Sequence, residues 1–328
     1  MKLDSLPRYR LTALPTPLDE TPRLSKELGA RILFKRDDLT GFALGGNKIR
    51  KLEFLLADAL AKNADVLVTG GGAQSNHTRA TAAAARKAGL DAFLVLSGER
   101  PSESNGNLLL EELLGAEIRF LGGGWRDTDS EIGNAAAELA ARGRRPYIVP
   151  VGGSSVLGCC SYIIAVGELL EQLDALQVNP DYIVVTTGSC GTHAGILAGL
   201  KYHGRKIPVI GITVSRSVAE GTQRITRLVN ETAAFLETPL PLEANDIVIR
   251  EGYVGKGYAQ ITPEAREAIK RVARSEGIFL DQVYTGKTMA GMIDLLAKGD
   301  LAHGATIVFW HTGGTPGLFG HAQDFREM

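Results

Sequence analysis

The stretch Tyr182-Ile183-Val184-Val185-Thr186-Thr187-Gly188-Ser189-Cys190-Gly191-Thr192-His193-Ala194-Gly195 decides the fold class. Its first five residues form an uninterrupted apolar, β-branched run, the pattern of a strand covered on both faces. A Gly/Ser/Thr turn follows, and from Thr192 to Tyr202 the composition becomes helical. A strand feeding a helix through a glycine turn predicts a parallel sheet. The same alternation runs along the chain, with expected strands at 65–69, 92–96, 117–121, 146–151, 182–186, 209–214 and 306–310. Expected helices cover 48–61, 75–88, 105–114, 130–141, 159–173, 192–202, 218–236 and 263–276. The last begins with Thr262 as cap and Pro263 in the first turn. The predicted fold is therefore α/β, with parallel twisted sheets covered by helices and ligands bound at the carboxyl ends of strands.

The totals agree with such an architecture. A chain of 328 residues, 44% hydrophobic and 22% charged, has the balance of an ordinary globular protein and the length for two domains. The formal net charge of -1 and the absence of a dense Lys/Arg run exclude a polycationic surface, so nucleic acid is not an expected partner. Cys159 and Cys160 are adjacent and Cys190 stands apart, which matches no structural zinc pattern, and no metal is expected. The N-terminal residues lack the apolar core of a signal peptide, and no stretch was expected to approach membrane-spanning length. The expected setting is a reducing cytoplasm, with no membrane partner.

Four loops carry polar groups suited to one site. In Gly45-Gly46-Asn47-Lys48-Ile49-Arg50-Lys51-Leu52, two glycines precede a lysine in the first turn of a helix. Helix N-termini lower an amine pKa and favour anions, so Lys48 there is a candidate nucleophile; alone, it also reads as a solvated surface lysine. Gly70-Gly71-Gly72-Ala73-Gln74-Ser75-Asn76-His77 follows a strand, and Ser75 and Asn76 either cap the next helix or present a hydroxyl and an amide to a ligand. The Gly188–Thr192 loop suits a phosphate monoester, with backbone donors, hydroxyls and a helix dipole converging, or is simply a tight turn. Cys190 in it reads as small filler. The fourth pair is Asp281-Gln282-Val283-Tyr284-Thr285-Gly286-Lys287 and His311-Thr312-Gly313-Gly314. Here Thr312 presents a hydroxyl at a strand end, Tyr284 is a proton donor or a ring wall, and His311 reads as structural. No G-x-G-x-x-G turn with a ribose-reading residue beyond it supports a nicotinamide dinucleotide.

In this order, from Pro15-Thr16-Pro17-Leu18 and Phe34-Lys35-Arg36-Asp37-Asp38 through Gly152-Gly153-Ser154-Ser155 and Val214-Ser215-Arg216-Ser217 to His311-Thr312-Gly313-Gly314, the motifs resemble the fold-type-II pyridoxal-phosphate enzymes. The branch resembled contains the D-cysteine desulfhydrases and the 1-aminocyclopropane-1-carboxylate (ACC) deaminases. The resemblance implies pyridoxal 5'-phosphate held as a Schiff base on Lys48, which also moves the substrate α-proton. It implies that Asn76 bonds the ring hydroxyl, that Gly188, Ser189, Cys190, Gly191 and Thr192 hold the phosphate, and that Thr312 faces the pyridine nitrogen. Ser75 and His77 would contact the carboxylate of a small amino-acid substrate, and Tyr258 and Tyr284 would line the opposite wall. A neutral hydroxyl at the pyridine nitrogen makes the ring a weaker electron sink, which suits β-elimination.

ACC deaminases carry Glu where this chain has Thr285 and tend to have Gln where it has His77. Both positions resemble the desulfhydrases, so the implied reaction converts D-cysteine to pyruvate, hydrogen sulfide and ammonia. L-cysteate, D-serine and ACC are the alternative substrates. Gln282, Ala259 and Cys160 depart from the family pattern, which usually has Pro at the first and Gly at the second; Gln282 and Cys160, where they reach the pocket, would recognise a larger or more polar substrate such as cysteate or another β-substituted alanine. The implied layout is a large domain of 1–47 and 155–328, an inserted small domain of 48–154, and a homodimer.

Overall fold

The chain, seen in a computed structural model, is described for residues 3–122, 128–243, 245–257 and 259–325. It opens with β1 (Leu18–Glu20), α1 (Pro22–Leu28) and β2 (Arg31–Arg36), then turns into α2 (Asn47–Ala61). Next come β3 (Val66–Gly72), α3 (Asn76–Lys87), β4 (Asp91–Ser97), α4 (Gly106–Leu113), β5 (Glu117–Phe120), α5 (Thr128–Ala141) and β6 (Pro146–Ile148). α6 (Val156–Ala175), β7 (Tyr182–Thr187), α7 (Gly191–Tyr202), β8 (Val209–Thr213), α8 (Val218–Leu236) and β9 (Val248–Arg250) follow. The chain then runs through α9 (Pro263–Glu276), α10 (Thr285–Lys298), β10 (Thr306–His311) and α11 (Pro316–Gly320).

The strands form two sheets, one ordered β1-β2-β10-β7-β8-β9 and the other β5-β4-β3-β6. Every pairing is parallel except β1 with β2. In the larger sheet alternate residues enter different cores. Ile183, Val185 and Val308 pack with α6, α7 and α8, whereas Val184, Ile307 and Phe309 pack with α9 and α10. In the smaller sheet Leu67, Leu94 and Leu96 face α2 and α3, while Val68, Phe93 and Val95 face α5. Each fully buried side chain of this size contributes roughly 1.5–3 kcal/mol, which is why these runs contain no polar face.

Several elements differ from the sequence expectation. β2 was not anticipated, because Lys35 and Arg36 give it a surface-like charge pattern; both are in fact paired, Lys35 with Glu168 and Arg36 with Asp19 and Asp38. β3 continues through Gly70–Gly72 rather than ending at Thr69. A Cβ on Gly70 would lie 2.8 Å from the Val95 carbonyl oxygen, and one on Gly71 would lie 2.6 Å from Ser75 Oγ, so these glycines permit close approach inside the strand. β6 stops at Ile148 because residues 151–153 form a 3-10 turn with Gly152 at φ +70°. α6 is long and apolar enough by length and composition to cross a bilayer, contrary to the expectation that no stretch approaches this. Its apolarity is explained by burial on several sides, since Tyr162, Ile163, Val166 and Leu169 are all inaccessible.

α2 is anchored by a buried polar network. Asp37 accepts from Arg50 Nε at 2.9 Å, Tyr162 Oη at 2.6 Å and Trp310 Nε1 at 2.8 Å. Arg50 also pairs with Glu168, which Lys35 approaches from β2. Burial alone would raise the Glu168 carboxyl, but Arg50 and Lys35 override it and hold it at about 2. Three residues further along α2, Glu53 accepts from the N–H groups of Leu11 and Thr12 at 2.6 and 2.7 Å. Breaking such a network exposes its members to an uncompensated low dielectric. Asp37→Ala is therefore expected to cost about 3–5 kcal/mol in urea unfolding; a loss below about 1 kcal/mol would contradict the anchoring role.

Candidate active site

A cavity of about 620 Å³ opens where the carboxyl ends of the two sheets face one another. Asn47 and Lys48 line it from α2, and Ser75, Asn76 and His77 from the start of α3. Gly188, Ser189, Cys190 and Thr192 contribute from the β7–α7 loop, with Ser215, Arg216, Tyr284 and Thr312 completing the wall. The four loops singled out in the sequence thus meet in one place, at the strand ends where open α/β sheets bind ligands.

Lys48 is placed by unusually close backbone packing. A Cβ on Gly45 would lie 1.9 Å from the Asp38 carbonyl oxygen, and one on Gly313 would lie 2.8 Å from Gly46 Cα. Gly46 itself has φ +111°. The Gly46 N–H donates to Asp37 O and the Asn47 N–H to Thr312 O, each at 3.0 Å, so the first turn of α2 is tied to the end of β10. The Asn47 amide donates to Thr192 Oγ1 at 2.9 Å and accepts from Lys48 Nζ at 2.8 Å. Burial, then the neighbouring Lys51 ammonium, push the Lys48 amine well below the ordinary lysine range; Asp281 partly opposes this and Arg79 adds to it. A lysine so placed is available as an uncharged amine.

One end of the cavity has the chemistry of a phosphate cradle. Cys190 adopts φ +73° immediately before α7, and Ser189, Cys190 and Thr192 line the cavity where that helix begins. Ser154 Oγ braces the loop, donating to Ser189 Oγ at 2.8 Å and accepting from the Gly191 N–H at 3.2 Å. A Cβ on Gly152 would lie 2.2 Å from Ser189 Oγ, so the 151–154 turn and the β7–α7 loop are fitted to each other. Lys51 lies alongside, wholly buried. Its ammonium donates to Gly152 O at 3.1 Å and has no carboxylate partner among the described residues. Burial lowers it to about 8. Lys51 is not among the residues lining the cavity, but Gly152, to which it donates, is, so a buried cation without a carboxylate partner among the described residues stands directly behind the wall of the cradle, which suits an anion there. Cys190 is buried and its thiol pushed up by burial, in keeping with a packing role.

The other end suits a carboxylate and a ring. Ser75 caps α3, its Oγ accepting from the N–H groups of His77 at 3.3 Å and Thr78 at 3.4 Å. The His77 tautomer follows from its partner. Thr69 Oγ1 donates to Val149 O at 2.7 Å, so it accepts from His77 Nε2 at 2.9 Å and Nε2 carries the proton. Burial, then Lys48 and Lys51, hold His77 well below its ordinary pKa, so the ring is neutral. Tyr284 stands on the far wall, its backbone N–H held by Asp281 Oδ2 at 2.9 Å. Thr312 lines the cavity at the end of β10. His311 is structural: Gly313 N–H donates to its Nδ1 at 3.2 Å, and its Nε2 faces Phe279 O at 3.1 Å.

Other expected residues lie elsewhere. Thr285 does not line the cavity; its hydroxyl donates to Asp281 Oδ1 at 2.7 Å and accepts from the Asp281 N–H at 2.9 Å, which commits it to the cap of α10. Gln282 and Cys160 do not reach the cavity either. Gln282 turns toward α11, donating to Gly317 O at 3.2 Å, and Cys160 is inaccessible on α6 with its thiol pushed up by burial to about 12. Ala259 has φ +65°, a backbone state that favours glycine and accounts for the glycine usual there. Tyr258 lies outside the described residues. The sequence reading gave no role to Asn47, Lys51, Ser154 or Asp281. Lys51 was detectable, since it lies three residues from Lys48 on the same helix face.

Residues 9–313 match the family described as "Pyridoxal-phosphate dependent enzyme". A crystal structure described as an ACC deaminase homologue is 41% identical, with a TM-score of 0.91, covering 99% of this chain and 97% of its own. A fungal L-serine ammonia-lyase from Rhizomucor miehei, 19% identical with a TM-score of 0.67, covers 97% of this chain and 99% of its own. Escherichia coli diaminopropionate ammonia lyase, at 17% and 0.68, covers 96% and 85%; these two distant likenesses concern the fold. The phosphate cradle, the amine of Lys48 and this family match agree, and the chain belongs to the pyridoxal-phosphate-dependent enzymes of fold type II, with pyridoxal 5'-phosphate as its cofactor.

Proposed function

We propose that this enzyme catalyses β-elimination from a small amino acid, with D-cysteine the first candidate, releasing hydrogen sulfide and, after hydrolysis, pyruvate and ammonia. The observation that carries the reading is the placement of Lys48 in the cavity between the Gly188–Thr192 loop and the start of α3, with burial and Lys51 holding its amine well below the ordinary lysine range. When bound, the cofactor supplies an aldehyde for the substrate amine and a conjugated ring that accepts electrons as the Cα–H bond breaks.

The chain's own residues do the rest. Thr192 and the β7–α7 loop, with Lys51 behind the cavity wall, would hold the phosphate at the end of the cavity opposite the start of α3. Ser75 and the start of α3 orient the carboxylate, so that the Cα proton faces Lys48 Nζ, its acceptor. Asn76 would donate to the ring oxygen, and the Thr312 hydroxyl would serve the pyridine nitrogen without adding a charge. Tyr284, which lines the cavity, would close the wall around the leaving group and could protonate the departing thiolate.

A second reading, ring opening of ACC, draws support from the printed description of the 41% identical structure. Against it stands the commitment of Thr285 to Asp281, which leaves no carboxylate from that position in the cavity.

Incubating the enzyme with D-cysteine, L-cysteine, D-serine, L-cysteate and ACC separates these readings. The proposal expects pyruvate and sulfide from D-cysteine; 2-oxobutyrate from ACC with no pyruvate from any other substrate would overturn it. Lys48→Ala is expected to lose elimination by at least about 10³-fold, because base and cofactor attachment vanish together. Near-normal turnover in that variant would refute the assignment. Lys51→Met removes a charge-assisted bond worth about 1.5–3 kcal/mol and should raise the cofactor dissociation constant by roughly 10–100-fold. An unchanged constant would remove Lys51 from the phosphate site.

A further inference from the structure

We propose that Asn107, on α4 and outside the cavity, is a positioning residue that dictates which end of the Asn76 amide the cofactor meets. The main-chain carbonyl of Gln74 can only accept a hydrogen bond. Asn107 Nδ2 meets it at 2.9 Å, which identifies that end of the Asn107 side chain as the donor. The same NH₂ group lies 2.9 Å from Asn76, so the Asn76 atom facing it is the acceptor Oδ1. What remains on Asn76 is its own NH₂ group, and Asn76 lines the cavity. One backbone carbonyl therefore orients two amides in succession, and the cavity receives a donor.

The surroundings hold this relay in register. The Asn107 N–H donates to Gln74 Oε1 at 2.8 Å, while Gln74 Nε2 donates to Asn105 O at 3.0 Å and Asn105 Oδ1 at 2.9 Å. The approach needs a glycine between the two asparagines: Gly106 has φ +52°, and a Cβ there would lie 2.4 Å from Gln74 Oε1. Asn107 is inaccessible, and its Oδ1 has no hydrogen-bond partner among the described residues. That orphaned oxygen is tolerated because the reverse orientation would set it against the Gln74 carbonyl, losing two bonds to satisfy none.

The inference rests on the proposed contact between Asn76 and the cofactor's ring oxygen, and the test separates the two. A donor to that oxygen stabilises its anionic form, so losing the donor raises the pH at which the visible band of the loaded enzyme titrates. Asn76→Ala should raise that midpoint by about one unit, the size expected for a lost charge-assisted hydrogen bond. Asn107→Asp accepts but cannot donate, and Asn107→Ala removes the donor without adding charge. Both should move the midpoint in the same direction and weaken cofactor binding measured on the same samples. The double variant Asn76→Ala/Asn107→Ala should titrate with Asn76→Ala alone, because Asn107 acts only through Asn76. Additive shifts would overturn the relay. Parental midpoints in both Asn107 variants, with Asn76→Ala shifted, would overturn it while sparing the Asn76 contact. An unshifted Asn76→Ala would remove the contact and the relay together.

Discussion

The structure depends on how the first turn of α2 is seated. Gly45 and Gly46 lie so close to Asp38 and Gly313 that a side chain at Gly45 or Gly313 would collide with backbone. This joins the end of β2, the end of β10 and the start of α2 within a few residues, with Lys48 at the junction. Beneath it, Asp37, Arg50, Glu168 and Lys35 form a buried charge network. Such networks contribute little net stability, but they penalise every alternative placement of their members. Here the effect is to fix one helix, and with it one amine, relative to two sheets.

That placement concentrates positive charge. Lys48, Lys51 and Arg79 are all held below their ordinary pKa, chiefly by burial, and Lys51 and Arg79 lower Lys48 further. Without an anion this arrangement is costly, because burying like charges together adds repulsion to desolvation. An anion bound beside Lys51, as proposed for the cofactor's phosphate, would offset part of that cost. The neutral state of His77 belongs to this arrangement as well, since the same lysines oppose its protonation.

Much of this was legible in the sequence wherever the determining contacts are local. β7, its glycine turn and α7 read correctly because strand burial and helix start are both encoded within fourteen residues. Lys48, Ser75, Asn76 and Thr312 could be placed near one cavity because each sits at an element boundary that the sequence marks. β2 was missed because its charges look solvent-facing, whereas Lys35 is neutralised by Glu168, 133 residues away, and Arg36 by Asp19 and the nearby Asp38. Thr285 distinguishes branches of the family in the sequence, and only its bonds to Asp281 reveal it as part of the α10 cap. α10 as a whole was not anticipated: the N–H groups of Val283, Tyr284 and Thr285 at its start are satisfied by Asp281, several residues upstream of where a cap is sought. Asn107 could not be found from sequence, since its role lies in the direction of an amide.

The central claim is that Lys48, rather than its equally buried neighbour Lys51, carries the cofactor. Borohydride reduction of the coloured, cofactor-loaded protein, followed by peptide mapping, tests it most directly. The account predicts a single reduced adduct on the peptide containing Lys48, at that residue. An adduct on Lys51, or a loaded protein that borohydride leaves unlabelled, would contradict it.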